Sequence, residues 1–419
     1  MSLDQQEADK TTQNFWLGVS NGVFMKGAGA FFHPTLVLAP FLATLGAPAT
    51  VVGLMPAMLF AGWFLPQLFV ASRIGHQPRK ILWYRYMTVI RVFTYALMVA
   101  VVFAFPDSPV LLVVTVVLGI GIVSLANGIT GIPFADIVAK VVPHYRLGTF
   151  WVLRNAVGGA LGFGSGFLLT YLLGGDIAFP QNFAIVFVIG TVLSAAAYLS
   201  FSLVKEPLGL ASQKQPFRSV ISRIPGLLRN NPNFFHYLRF RFLARLAIAA
   251  DPFFAIYALK YLDAPPSSLG LFVIVATSSA IVANLMFRAP ANQGKNVLVF
   301  QIAIAFLIAA PIAALIAPSW QSFLLVFLFS AVGQAGLNIA SWNLLYVVSP
   351  AEERSLYIGT ANSLLSLPAL APILAGVIID LLGFGPVFVV AGVLGAAALV
   401  FALRSRELVI LDKKALGKS

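Results

Sequence analysis

The sequence predicts an all-α membrane protein: twelve transmembrane helices in two pseudo-symmetric six-helix bundles. Three observations lead there. Hydrophobic residues fill 59% of the 419 positions and charged residues only 10%, against ~25% charged in an average soluble domain; mean hydropathy is +0.92. The apolar residues gather into twelve runs, each long enough to cross a hydrocarbon core that needs ~20 helical residues. Polar landmarks of the first half return in the second at nearly constant offset. This composition excludes a soluble globular domain and a disordered chain. With no cysteine, disulfides, thiolate metal sites and cysteine nucleophiles are excluded as well.

The first run, 14–45, follows a polar, mixed-charge stretch and is too long for a signal-peptide core, so no cleavage is expected. His33-Pro34 interrupts it, and a proline removes one backbone bond, so a kink is predicted there. Runs 50–71, 81–105 and 110–142 follow. The fifth, 149–173, carries Gly158, Gly162 and Gly166 four apart, a smooth face that lets helices approach closely. After 182–204 comes 234–261, with a second titratable residue beside a proline at Asp251-Pro252. Runs 267–287, 296–317 and 322–348 follow, the last with Gln334, Asn338 and Ser341 as a polar stripe. Run 355–382 is expected to bend at Pro368 and Pro372, and 385–403 closes the set. All are far longer than the ~10 residues of a barrel strand. Trp16, Trp83, Trp151 and Trp320 lie at run ends and read as interfacial anchors.

The longest polar stretch, 205–233, divides the chain into bundles 1–204 and 234–419. Within it Phe217, Val220, Ile221, Ile224, Leu227 and Leu228 recur at helical spacing, with Arg218, Arg223 and Arg229 elsewhere. Two readings fit: an amphipathic helix on the inner membrane surface, bent by Pro225, or a solvated basic linker. Even-numbered connections and the two tails hold 18 Lys and Arg, while the short odd-numbered connections carry Asp107, Asp176 and Asp263. The positive-inside rule then places both termini in the cytoplasm, as an even number of spans requires. The net charge of +13 reflects these basic loops, and no nucleic-acid partner is expected.

The halves echo each other. Ala47-Pro48 and Gly53 return as Ala264-Pro265 and Gly270; His33-Pro34 returns as Asp251-Pro252. Pro143 and Asn155 return as Pro350 and Asn362, all shifted by 207, and that shift maps Asn127 to Gln334 and Asp136 to Asn343. Repeats of this kind point to a transporter with its site at the repeat interface. Here the chain resembles the major facilitator superfamily over nearly its whole length. Arg73-Ile74-Gly75 followed by Arg79-Lys80 is similar to the superfamily's loop 2–3 motif, with Leu68 where it has Gly and Ser72 where it has Asp. Arg146, Gly148 and Arg154, leading into the fifth run, look like the superfamily's as well. The resemblance implies that helices 1, 4, 7 and 10 line a central cavity. Lys26, Asn127, Arg245, Gln334 and Asn338 would then surround one space.

By helical rise Lys26 lies roughly 17 Å into its run, Arg91 roughly 15 Å and Arg245 roughly 16 Å. A charge at that depth costs ~3 kcal/mol or more and normally faces protein or water. Gly22, Lys26, Gly29 and His33 share a face of helix 1. Two cations with amide donors and no carboxylate at that depth favour an anionic small molecule, with Lys26 and Arg245 as counter-charges. The bland alternative pairs Lys26 with Asp251 or Asp136. His33 and Asp251 are candidate proton carriers; a hydrogen-bonded structural kink is the alternative. Asp136 is expected to pair with Arg146, Arg154 or Arg79 in a cytoplasmic gate that includes Arg73, and Arg91 to make an intra-domain pair, with Asp136 as its candidate partner.

No catalytic residue, metal site or cofactor is expected. The four histidines, at 33, 76, 144 and 236, lack metal-ligand spacing. There is neither a nucleophile elbow nor a G-x-x-x-x-G-K-[ST] loop for ATP. The expected protein is a monomeric, proton-coupled secondary transporter of a small anion in a bacterial inner membrane, with the lipid bilayer and protons as its other partners. Efflux or flipping of an amphiphilic drug or lipid is one alternative; a non-transporting membrane sensor or scaffold is another.

Overall fold

A computed structural model describes residues 3–73, 77–208, 217–350 and 353–414. The described residues form helices and no strands. Among the described residues, twelve helices are long and apolar enough to cross a membrane, which makes this an integral membrane protein. We number them α1 (Lys10–Thr44), α2 (Ala49–Pro66), α3 (Ile81–Ala104), α4 (Pro109–Val141), α5 (Leu147–Gly174), α6 (Gln181–Ser202), α7 (Pro232–Tyr261), α8 (Ser268–Asn292), α9 (Asn296–Ile316), α10 (Leu324–Val348), α11 (Leu356–Leu382) and α12 (Phe384–Leu403). Two further helices, a linker helix at Phe217–Asn230 and a C-terminal helix at Arg406–Lys414, are too short and polar to join them.

The predicted interruptions are present, each with a local cause. In α1, Pro34 has no N–H to donate, and the chain widens into a π-helical turn at Pro34–Leu38. Val37 N and Leu38 N both donate to His33 O at 3.0 Å. In α7 a 3₁₀ turn at Ile248–Ala250 precedes Asp251-Pro252, and α11 breaks at a 3₁₀ turn over Pro368–Leu370. The linker helix carries Pro225 in its interior.

The chain forms two compact units, Met1–Gly46 with Met58–Phe217, and Ala47–Ala57 with Arg218–Ser419. In the first, α1 packs on α5 and α6, and α3 on α4 and α6. In the second, α7 packs on α12 and α11, and α9 on α10 and α12. The same neighbours recur six helices later. The glycine row of α5 serves close approach as its spacing predicts. A Cβ at Gly158 would lie 2.9 Å from Lys26 Cβ, so α1 rests directly on that face.

The second unit takes up 47–57, the start of α2, which the sequence division assigns to the first bundle. The reason is backbone-to-backbone contact. A Cβ at Gly53 would stand 2.2 Å from Pro372 O of α11, and one at Gly376 would stand 2.3 Å from Ala49 O. Asp380 secures the same contact by accepting from Ala49 N (2.8 Å), Thr50 N (2.9 Å) and Thr50 Oγ1 (2.7 Å). One carboxylate thereby caps the otherwise unpaired donors that begin α2.

Candidate functional site

In the first unit, Lys26 is exposed and makes no ion pair or hydrogen bond with any described residue. Its stem lies on Gly158 of α5. The small residues beside it have different tasks. The guanidinium of Arg154 fills the space at Gly22, whereas at Gly29 a Cβ would meet nothing within 4 Å. The cation therefore borders open space on the Gly29 side. His33, further along the same face, accepts at Nδ1 from Leu36 N at 3.3 Å and caps the π-helical turn.

Asn127 has a structural commitment that its position in the sequence does not reveal. Its Oδ1 accepts from Arg91 Nη1 at 2.9 Å and from the Tyr198 hydroxyl at 3.1 Å. Arg91 is 1% exposed. It also donates to Met87 O, Thr130 Oγ1 and Thr88 Oγ1, and its guanidinium lies 3.9 Å from the centre of the Tyr198 ring. The partner expected for Arg91 was Asp136; neutral oxygens and an aromatic face take that place. Arg154 likewise donates to Asn21 Oδ1 (3.1 Å) and to Gly18 O, among the rings of Phe134, Phe150 and Trp151.

In the second unit, Asp251 is the hub. Its Oδ2 accepts from Gln334 Nε2 at 2.6 Å and Ser330 Oγ at 3.0 Å, joining α7 to α10. Arg245, half-buried one and a half turns earlier, interacts electrostatically with Asp251 and with Arg241. Gln334 is thus engaged by Asp251, while Asn338, a turn further along α10, is exposed. Arg241 donates to the Tyr237 hydroxyl, which donates to Ser341 O at 3.0 Å.

Asp136 pairs with Lys80 (2.9 Å) and Lys140 (2.7 Å), in place of the expected Arg146, Arg154 or Arg79. Lys140 also meets Glu206 at 2.8 Å, and Glu206 accepts from Lys80 N and Ile81 N at 2.7 and 2.8 Å, capping α3. Arg146 lies over the Phe15 ring and Arg79 is exposed. The side chain of Arg73, with Ile74 and Gly75 of the motif, lies outside the described residues.

The second unit repeats this arrangement without the lysines. Asp412 accepts from Asn296 N (2.5 Å) and Val297 N (3.3 Å) to cap α9, and Asn343 Nδ2 donates to Asn296 Oδ1 at 2.8 Å. Asn343, mapped from Asp136 by the repeat offset, occupies the equivalent place. Sequence reasoning did not pair Lys80 or Lys140 with Asp136, and it missed Glu206, Asn296 and Asp412. The available signals were the i,i+4 spacing of Asp136 and Lys140 and the acid that follows the sixth span of each half.

No family model matches the chain, and no curated protein matches its sequence. Solved structures do. The chain is similar to a bacterial homologue of the iron transporter ferroportin in an inward-facing state, with a TM-score of 0.72 at 16% identity over 97% of this chain and 99% of that one. It is similar to the nucleoside transporter NupG, with a TM-score of 0.71 at 14% identity over 95% and 99% of the two chains. A POT-family transporter in complex with 5-aminolevulinic acid gives 0.68 at 13% identity over 92% and 94%. The chain has the fold of a major facilitator transporter. The names of these neighbours speak of iron, of nucleosides and of bound 5-aminolevulinic acid, so the fold does not select a cargo.

Proposed function

We propose that this protein is a secondary transporter that moves a small anionic solute across a bacterial inner membrane by alternating access, with both termini in the cytoplasm. Support for transport comes from the fold shared with solved transporters and from the doubled six-helix plan. Support for an anion comes above all from Lys26, an exposed cation at membrane depth with no ion pair among the described residues. Such a charge is costly unless water or an opposite charge meets it, and an anionic solute supplies that charge. Arg245 is the second counter-charge; Gln334, which shares Asp251 with it, and Asn338, a turn further along α10, are the proposed amide donors. Asn127 contributes through Arg91, which it holds.

Asp251 is the proposed proton carrier. Protonation would neutralise the carboxylate that acts on Arg245 and so make the surroundings of that arginine more positive, which favours an anion there. Proton and solute would then be coupled through one guanidinium. His33, whose Nδ1 caps the break in α1, is the secondary candidate. The Asp136 cluster, with Arg79, Arg146, Arg154 and Arg73 on the same basic end, is proposed to brace the cytoplasmic gate.

The test begins with a thermal-shift screen of purified protein against small anions, amphiphiles and lipids, because a ligand of the native state raises the melting temperature. Uptake of the best anion into proteoliposomes follows. Wild type is expected to take it up, and Lys26→Gln and Arg245→Gln to lose uptake. Normal uptake by both variants, or stabilisation by amphiphiles alone, would overturn the anion reading.

A further inference from the structure

On the basic end of the first unit, an open pocket of about 240 Å³ lies between the start of α3 and the end of α6. Three cations line it: Arg79, Arg85 and Lys205. Arg79 and Lys205 are exposed, and neither side chain has a partner among the described residues. Arg85 commits Nε to Ser202 O at 2.9 Å, and its terminal amines make no bond to a described residue. Glu206 lines the pocket too, but its carboxylate is taken up by Lys140 and the two N–H groups of α3. Lys80 and Lys140 are matched by Asp136 and Glu206, so no acid among the described residues pairs with the three pocket cations.

The pocket opens where two apolar surfaces begin. Leu82, Tyr86, Val89, Ile90, Phe93 and Leu97 are all exposed, and their spacing puts them on one stripe of α3. Leu199 and Leu203 are exposed at the end of α6. Trp83, donating to Gln77 Oε1 at 2.8 Å, stands at the same level, as aromatic residues do at a membrane–water interface. A soluble anion would use the cations and ignore the stripe. A lipid uses both, and basic pockets between membrane helices suit anionic headgroups.

We propose that Arg79, Arg85 and Lys205 form a binding site for an anionic phospholipid. Its phosphate lies among the three cations, where arginine forks match phosphate oxygens, and its acyl chains run along the exposed stripe of α3. The site lies wholly in the first unit and does not depend on what the protein carries.

The test is binding of phosphatidylglycerol and of phosphatidylcholine to the purified full chain, counted by native mass spectrometry. Wild type is expected to bind phosphatidylglycerol more tightly. A basic residue near an anionic surface contributes about fivefold in affinity, so Arg79→Gln with Lys205→Gln is expected to weaken phosphatidylglycerol about 25-fold and leave phosphatidylcholine unchanged. The charge-keeping pair Arg79→Lys with Lys205→Arg should restore binding, which separates lost charge from a damaged fold. Glycerol 3-phosphate serves as the soluble headgroup. If it binds as tightly as the lipid, the site is a free-phosphate site and the lipid proposal falls. Equal binding of the two lipids by wild type, or unchanged phosphatidylglycerol binding by the neutral pair, also overturns it.

Discussion

Glu206 lies outside the membrane spans, yet its side chain is 0% exposed, and it makes three bonds at once. It accepts from Lys80 N, Ile81 N and Lys140 Nζ at 2.7, 2.8 and 2.8 Å. Replacing it with alanine removes an N-terminal cap, typically worth ~1 kcal/mol, and one acid partner of Lys140. Breaking a buried ion pair costs ~3–5 kcal/mol. Lys140 is 18% exposed and keeps Asp136, so about half of that applies, and the total is about 3 kcal/mol. At ~2–4 °C per kcal/mol for a unit of this size, the melting temperature should fall by about 6–12 °C. Glu206→Gln keeps an oxygen for the two backbone donors but turns an amide nitrogen toward Lys140, so it retains the cap, loses the pair, and should drop about two-thirds as far. Asp412→Ala, where the partners are neutral amide groups, should resemble Glu206→Gln. Melting of purified protein in one detergent reads all three variants. An unchanged melting temperature for Glu206→Ala, or equal losses for Ala and Gln at 206, would refute this assignment of roles.

Gly53→Ala should destabilise by about 1–3 kcal/mol through overpacking, because its Cβ would sit 2.2 Å from Pro372 O; Gly29→Ala, facing open space, should melt at or above wild type. Arg91→Met should cost about 2–3 kcal/mol by stranding neutral oxygens; a larger loss would mean that a carboxylate depends on it. Asp251→Asn keeps an oxygen for Ser330 and Gln334, so the protein should fold normally and still exchange solute between compartments. Accumulation driven by a proton gradient should disappear, and its persistence would exclude Asp251 as carrier.

Periodicity and composition were enough for the twelve spans, because lipid demands long apolar helices regardless of which neighbours they find. The breaks at Pro34, Pro252 and Pro368 were legible for a similar reason: a missing N–H acts locally. The repeat offset led from Asp136 to Asn343, which the structure places at the same point of each unit. Partner choice was not legible. Which cation meets Asp136 depends on how α3, α4 and the segment after α6 converge, and Lys80 and Lys140 converge there while Arg146 and Arg154 turn to aromatic rings. Asn127 looked available because Arg91 and Tyr198 reach it from other helices. The grouping of 47–57 with the second unit rests on two glycines whose contact lies more than 300 residues away along the chain.

The most direct measurement is titration calorimetry of the best-bound anion into wild type and Lys26→Gln, side by side in the same detergent and salt. A lysine that meets the solute's charge should give at least tenfold weaker binding in the variant, about 1.4 kcal/mol, with an unchanged melting temperature. Equal affinity in the two proteins would contradict an anion held by Lys26.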